Sequence, residues 1–230
     1  MDNHTVLKNN HKGQDIYVIG SGASMDHVSP GFFDGKLTIA TCQVWKKFPG
    51  TYVIHKHAQF IPECVKAGQT TVVSKHDCGD IDHGLNDATR VNYVFTHKRG
   101  RFGDLEKNFV NNLEAIGKDE DIFVSYSTIT SAIHLAAYMG AKNIILCGHD
   151  CGWLDGKSHF GDYAERIKAY HESLEAFNKN YKEWFKRIEQ DTIRLKAKLK
   201  EVYRCNIYSL NPFINLGLEG HKLTEDPNGS

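Results

Sequence analysis

Residues 121–147 narrow the fold more than any other stretch of the chain. DIFVS at Asp121–Ser125 is a short β-rich run, TSAIHLAAYM at Thr130–Met139 reads as a helix, and NIILC at Asn143–Cys147 is β-rich again. Gly140 stands where that helix should end. Strand, helix and strand in this order form a βαβ unit. Such units almost always cross over right-handedly, and they imply a parallel sheet.

Further strands are predicted at Ile16–Ile19, Leu37–Thr41, Thr51–Ile54, Thr70–Ser74, Val91–Phe95 and Asn206–Leu210. Helices are predicted from Ser24 toward Phe32 and Phe33, over Ala58–Ala67, and over Asp104–Ile116 with Gly117 as its stop. The expected class is α/β: a Rossmann-like, mostly parallel sheet with flanking helices and a long C-terminal helical segment. Residues 1–161 read as one Rossmann-like domain and 162–204 as a long helix or helical hairpin. Residues 205–230 supply a last strand, belonging to the first domain, and a polar tail.

In a parallel sheet, ligands gather outside the carboxyl ends of the strands. After Ile16–Ile19 comes Gly20-Ser21-Gly22, with Ser24 placed to cap the helix that follows. The N–H groups of such a turn, together with a helix N-terminus, favour phosphate. An ordinary strand-to-helix connection is the plainer reading, since the third glycine of GxGxxG is missing. Ser127, Thr128, Thr130 and Ser131 crowd the start of the second helix, more hydroxyls than one cap needs, and suggest a second phosphate-binding terminus. Gln43, His55 and His57 stand just past other strand ends.

Gly148-His149-Asp150 closes the strand after that helix. Asp150 sits where α/β enzymes place an acid that holds a metal or a substrate hydroxyl, with a turn-capping carboxylate as the alternative. His159, in the loop beyond, is a candidate for acid–base work or a loop anchor. His134 reads as a packing or surface residue. The stretch His76-Asp77-Cys78-Gly79-Asp80-Ile81-Asp82-His83 is rich in potential metal ligands but has no known ligand spacing. His97, Lys98, Arg99 and Arg101 form a basic cluster able to meet an anionic substrate.

Lys+Arg 28 against Asp+Glu 28 gives a formal net charge of zero, which argues against nucleic acid as a partner. Six scattered cysteines without a CxxC pair, a polar N-terminus and no long apolar segment lead to the expectation of a cytoplasmic protein with no membrane span. From Asp162 to Val202 no Gly or Pro interrupts the chain, and Tyr163, Ile167, Tyr170, Leu174, Phe177, Tyr181, Trp184 and Ile188 recur at four-three spacing. Leu195, Leu199 and Val202 resume the series. A break near Gln190-Asp191-Thr192 is expected, giving a helical hairpin with some self-association; an unbroken helix would need a second chain to cover its stripe.

Three places carry a resemblance: IYVIGSGASM, TSAIHLAAYMGAKNIILCGHD and SHF at Ser158–Phe160. Through them the chain resembles the MptE-like family, named for an archaeal 6-hydroxymethylpterin diphosphokinase, and more distantly the bacterial CMP-sialic-acid-dependent sialyltransferases. The resemblance covers about two thirds of the chain and implies a Rossmann-like fold with a nucleotide at the carboxyl edge. It places Gly20, Ser21, Gly22 and Ser24 at nucleotide phosphates, Gln43 near ribose or base, and Thr130 and Ser131 on phosphate or ribose. Ala23 and Met25 stand where the families usually have proline and leucine. Ser21 and Gln43 stand where the sialyltransferases have asparagines, and Cys151, Gly152 and Trp153 occupy the region of their phosphate-binding tyrosines. Their catalytic histidine falls near Tyr163.

The first expectation is therefore a diphosphokinase-like transferase using a nucleoside triphosphate and Mg2+, with Asp150 on the metal and His159 or a loop arginine steadying oxygen. The second is a glycosyltransferase using a nucleotide sugar, with His159 as general base and a small molecule or glycan as acceptor. A non-catalytic nucleotide-binding module is the third.

Overall fold

The computed structural model describes residues 2–56, 61–74, 91–97, 105–125, 127–161, 163 and 174–210. Among these residues eight strands form one sheet: β1 (Asp2–Asn3), β2 (Asp15–Ile19), β3 (Thr38–Thr41), β4 (Tyr52–His55), β5 (Thr71–Ser74), β6 (Tyr93–Phe95), β7 (Asn143–Cys147) and β8 (Asn206–Ser209). Their order across the sheet is β1-β6-β5-β4-β3-β2-β7-β8, and every pairing is parallel. From β2 the chain steps outward to β6, then returns to place β7 on the other side of β2. The direction of winding reverses between β2 and β7, which makes their carboxyl ends the topological switch point.

Alternation along each strand sorts the core. Ile16, Val18, Ile39, Ile54, Ile144 and Leu146 face one side, whereas Ile19, Ala40, Val53, Ile145 and Cys147 face the other, with Phe33, Phe48 and Phe160. The first side is covered by α3 (Thr128–Tyr138), all eleven of whose residues are buried. A helix apolar all round must be enclosed. The sheet encloses it from below, and α4 (Leu174–Tyr203) packs on its outer side through the fully buried Leu195 and Leu199. Two further helices are α1 (Ile61–Lys66) and α2 (Leu105–Ala115).

Four expectations require correction. Asp121–Ser125 is not a strand: the place beside β6 is taken by β1. Ile122 N–H bonds instead to the Thr96 carbonyl beyond the end of β6 (2.8 Å), and Phe123 N–H is captured by Nδ1 of His134 (2.7 Å). α3 is thus the crossover from β6 to β7. The helix predicted after the glycine turn is two short 3-10 segments, Ala23–His27 and Pro30–Phe33, because Ser29 before Pro30 is held in extended backbone (φ −66°, ψ 136°). Ser24 is not the cap, since Gly22 occupies the cap position without a side-chain bond.

The fourth correction concerns α4, which runs unbroken through Gln190-Asp191-Thr192 for 30 residues, about 45 Å at 1.5 Å per residue. Arg187 Nε bonds Asp191 Oδ1 one turn on (3.1 Å), and Thr192 donates its hydroxyl to the Ile188 carbonyl (2.8 Å). Both contacts keep the helical path where the apolar series lapses.

The His76–His83 stretch, His57, Lys98, Arg99, Arg101, residues 164–173 and the tail from 211 lie outside the described residues. Among the described residues no helix is long and apolar enough to cross a membrane, and Cys42, Cys64, Cys147, Cys151 and Cys205 are free thiols.

Candidate functional site

At the switch point the ends of β2 and β7 are zipped together by backbone. Gly20 N–H bonds the Cys147 carbonyl (2.7 Å) and Gly22 N–H the Gly148 carbonyl (2.8 Å). A Cβ on Gly20 would lie 2.6 Å from the Gly148 oxygen; one on Gly148, whose φ is +62°, would lie 2.7 Å from the Gly20 oxygen. Glycine is required on both sides because the two turns touch, not only because one must bend.

Asp150 completes this junction. Its buried carboxylate accepts the Ser24 N–H on Oδ2 (2.7 Å) and the Ser24 hydroxyl on Oδ1 (2.6 Å). A Cβ on Gly22 would meet the carboxyl carbon at 2.4 Å. The anion cradled by the glycine turn is therefore a side chain from the neighbouring strand end. The N–H groups of Gly20, Gly22 and Ser24 are all committed inside the protein, and Ser21 and Ala23 hold the turn's remaining ones.

The loop after Asp150 folds back onto the same turn. Phe160 N–H bonds the Ser21 carbonyl (3.1 Å), and Gly161 N–H bonds both oxygens of Asp26 (2.9 and 3.1 Å). Lys47 and Lys157 reach Asp26 at 3.3 Å each. Gly161, followed by these side chains, holds the Asp26 carboxyl below its ordinary range against the opposing effect of burial. His159 is thereby placed under the loop: Nδ1 is 2.9 Å from the Ser158 hydroxyl, and the ring stacks on Tyr163 with centroids 5.4 Å apart. Burial pushes its pKa down to about 4, so the imidazole is neutral near pH 7.

The hydroxyl-rich start of α3 lies at the same edge. Ser127 caps the helix by accepting Ile129 N–H (3.4 Å), and Thr130 donates to the Ser127 carbonyl (2.7 Å) while meeting the Ser125 hydroxyl at 2.9 Å. Thr128 contacts the Cys42 sulfur (3.5 Å) at the exit of β3, beside half-buried Gln43. Lys56, at the exit of β4, donates to the Ser125 carbonyl (2.9 Å). Ser131 is fully buried, and its Oγ has no hydrogen-bond partner. The structure thus gathers Gln43, Thr130 and Ser131 around one helix terminus and Gly20, Ser21, Gly22, Ser24 and Asp150 around the adjacent turn. His55 is buried at the end of β4, and His97 bonds the Ser74 hydroxyl (2.8 Å).

Sequence reasoning missed what α4 brings to this edge. Thr192 Oγ1 lies 2.8 Å from His149 Nε2, and Asp191, with no exposed surface, lies beside Ser125. Arg187, which bonds Asp191, also bonds Glu106 of α2 (2.7 Å), and Arg194 takes the other oxygen of that carboxylate (2.6 Å). The signal was present: Asp191, Leu195 and Leu199 fall at i, i+4 and i+8, placing a carboxylate on an otherwise buried stripe.

A Mg2+ ion held by Asp150 does not fit this arrangement. Each oxygen of the carboxylate already accepts a bond from Ser24, and among the described residues no three His, Cys, Asp or Glu side chains converge as a metal site. His149 is neutral, its pKa lowered by burial to about 4, and its Nε2 bonds Thr192.

No protein-family model and no curated protein matches the sequence. Solved structures do. The monofunctional alpha-2,3-sialyltransferase Cst-I of Campylobacter jejuni is similar over 91% of this chain and 80% of its own, at 17% identity and a TM-score of 0.54. The sialyltransferase CstII of the same organism, in complex with the substrate analogue cytidine-5'-monophosphate, matches over 91% and 85%, at 15% identity and a TM-score of 0.50. CST-II with a trisaccharide acceptor and CMP matches over 90% and 85%, at 13% identity and a TM-score of 0.51. At these identities the likeness establishes architecture: the chain has the α/β fold of these sialyltransferases.

Proposed function

We propose that the protein is a glycosyltransferase that takes a sugar from a nucleotide donor, a CMP-sugar, and passes it to a glycan or small-molecule acceptor. The observation that carries this reading is the convergence, at the switch point of a sialyltransferase-like sheet, of a glycine turn and a hydroxyl-lined helix N-terminus. The neighbours with this fold bind CMP at TM-scores of 0.50 and 0.51, and one of them also holds a trisaccharide acceptor. In this reading Thr130, Ser131 and Gln43 meet the nucleotide, and Gly20, Ser21, Gly22 and Ser24 form the wall beside it. Asp150 fixes that wall and His159 lies next to it. The N-terminus of α3 neutralises charge on the departing phosphate.

The diphosphokinase reading takes second place. It called for a metal on Asp150, whose oxygens are committed to Ser24, and it has no counterpart among the structural neighbours described. Self-association through α4 belongs with these proposals, as does a cytoplasmic setting.

A thermal-shift panel of CMP, UDP, ATP and GTP with and without Mg2+, followed by incubation with CMP-sialic acid and UDP-sugars, tests the proposal. A ligand at a hundred times its Kd raises stability by about 2.7 kcal/mol. CMP should raise Tm without Mg2+, and a shift confined to ATP or GTP with Mg2+ would replace the glycosyltransferase with a diphosphokinase.

A further inference from the structure

We propose that Asp191 is the group that accepts the acceptor's proton in this transfer, an assignment that rests on the glycosyltransferase reading. The fold brings a carboxylate from α4 to the junction between the end of β7 and the start of α3, where the proposed nucleotide wall is built. Its Oδ1 accepts Arg187 Nε, while Oδ2 is fully buried and makes no hydrogen bond of normal geometry. A buried carboxylate oxygen left in this state is costly to a fold and is expected where an incoming hydroxyl will complete it.

Asp191 is ion-paired with Arg187 through Oδ1 alone, which leaves Oδ2 as the atom placed to accept a proton. Arg187 is shared with Glu106 of α2, which also holds Arg194, so one carboxylate offsets half the charge of these two guanidinium groups beside Asp191. The Ser125 hydroxyl lies close by, itself bonded to Thr130, and the Ser125 carbonyl takes Lys56 from the end of β4. His149, from the end of β7, is neutral and held by Thr192, with the Cys151 thiol beside it. Burial, only partly offset by Arg187, Ser125 and Arg194, raises the Asp191 pKa to about 6. A base is most effective when its pKa lies near the working pH. His159, at about 4, is the poorer base.

The step balances without a further reactant. The acceptor oxygen bonds to the anomeric carbon of the donor sugar and its proton passes to Oδ2. The bond from that carbon to phosphate oxygen breaks, and the nucleoside phosphate leaves with the electron pair.

The test compares wild type with Asp191→Asn, using CMP as binding probe and CMP release from CMP-sialic acid as turnover, across about pH 5 to 8. The variant should bind CMP as wild type does, lose about a hundredfold or more in turnover, and lose the low-pH limb of kcat/KM near pH 6. It should also melt no lower than wild type at pH 8, because a neutral amide replaces a buried charge; a structural Asp would give a lower Tm. Asp191→Glu should recover part of the rate together with the low-pH limb. Wild-type turnover in Asp191→Asn, retention of the limb, or loss of the fold at pH 8 would each overturn the assignment. If wild type binds CMP and turns over a donor while the variant is unaffected, only Asp191 is reassigned. A wild-type protein inert toward CMP and every donor overturns the glycosyltransferase reading itself.

Discussion

Gly22→Ala should destabilise the protein through a contact with Asp150, 128 positions further along the sequence. The backbone at Gly22 has φ −62° and ψ 156°, which alanine adopts freely, so the added methyl brings no conformational penalty. It would instead sit 2.4 Å from Cγ and 2.6 and 2.7 Å from the two oxygens of Asp150. Overpacking of this kind costs about 1–3 kcal/mol, and pushing the carboxylate off Ser24 loses hydrogen bonds to a charged group worth about 1.5–3 kcal/mol each. A loss of about 3 kcal/mol is expected, or a fall in Tm of about 6–12 °C for a chain of this length. Urea denaturation followed by far-UV circular dichroism measures it. The cause is isolated by a double-mutant cycle: in an Asp150→Ala background the methyl has room, and Gly22→Ala should then cost under about 1 kcal/mol, a coupling of about 2 kcal/mol. Additive effects in the cycle, or a Gly22→Ala protein as stable as wild type, would refute the staple between the two turns.

Acid should unfold the protein steeply. His134, His149 and His159 are buried with pKa values lowered to about 3, 4 and 4, so folding keeps them neutral while the unfolded chain binds protons from about pH 6.5 downward. Stability is therefore fully present above that pH and falls as pH drops; Asp191, raised to about 6, acts in the opposite direction, leaving a net slope of about 3 kcal/mol per pH unit near pH 5. Flat stability between about pH 6.5 and 5 would contradict the burial of these rings. On α4, Leu199→Ala should cost about 2–5 kcal/mol, whereas Trp184→Ala, at a residue 46% exposed, should change urea stability by about 0.5 kcal/mol or less; equal effects would mean that α4 is seated differently.

The strands were legible where a β-rich run met glycine or a polar group, as at IYVI before Gly20 and NIILC before Gly148, because burial on both faces writes a continuous apolar signal. Asp121–Ser125 carries the same signal without being a strand, since apolar burial under α3 does not require a ladder partner and His134 takes the N–H of Phe123. β1 is two exposed residues and leaves no pattern to read. The glycine turn was recognisable, yet its occupant was not: nothing local to Ser24 announces a carboxylate from Asp150. Asp191 was read as a helix break for the same reason. A polar residue in an apolar series looks like an interruption until the hydroxyl of Ser125 and the guanidinium of Arg187 are seen around it.

The staple between Ser24 and Asp150 also sets a schedule for the nascent chain. At roughly 5–20 residues per second, the ribosome delivers Asp150 roughly 6–25 s after Ser24. Throughout that interval β2, destined for the middle of the sheet, lacks β7, and the turn lacks the carboxylate that satisfies it. The site therefore cannot be finished early and filled later. Its two walls close in the same event that seats the central strand, so a polypeptide truncated before β7 would expose a bare strand edge prone to pair with another chain.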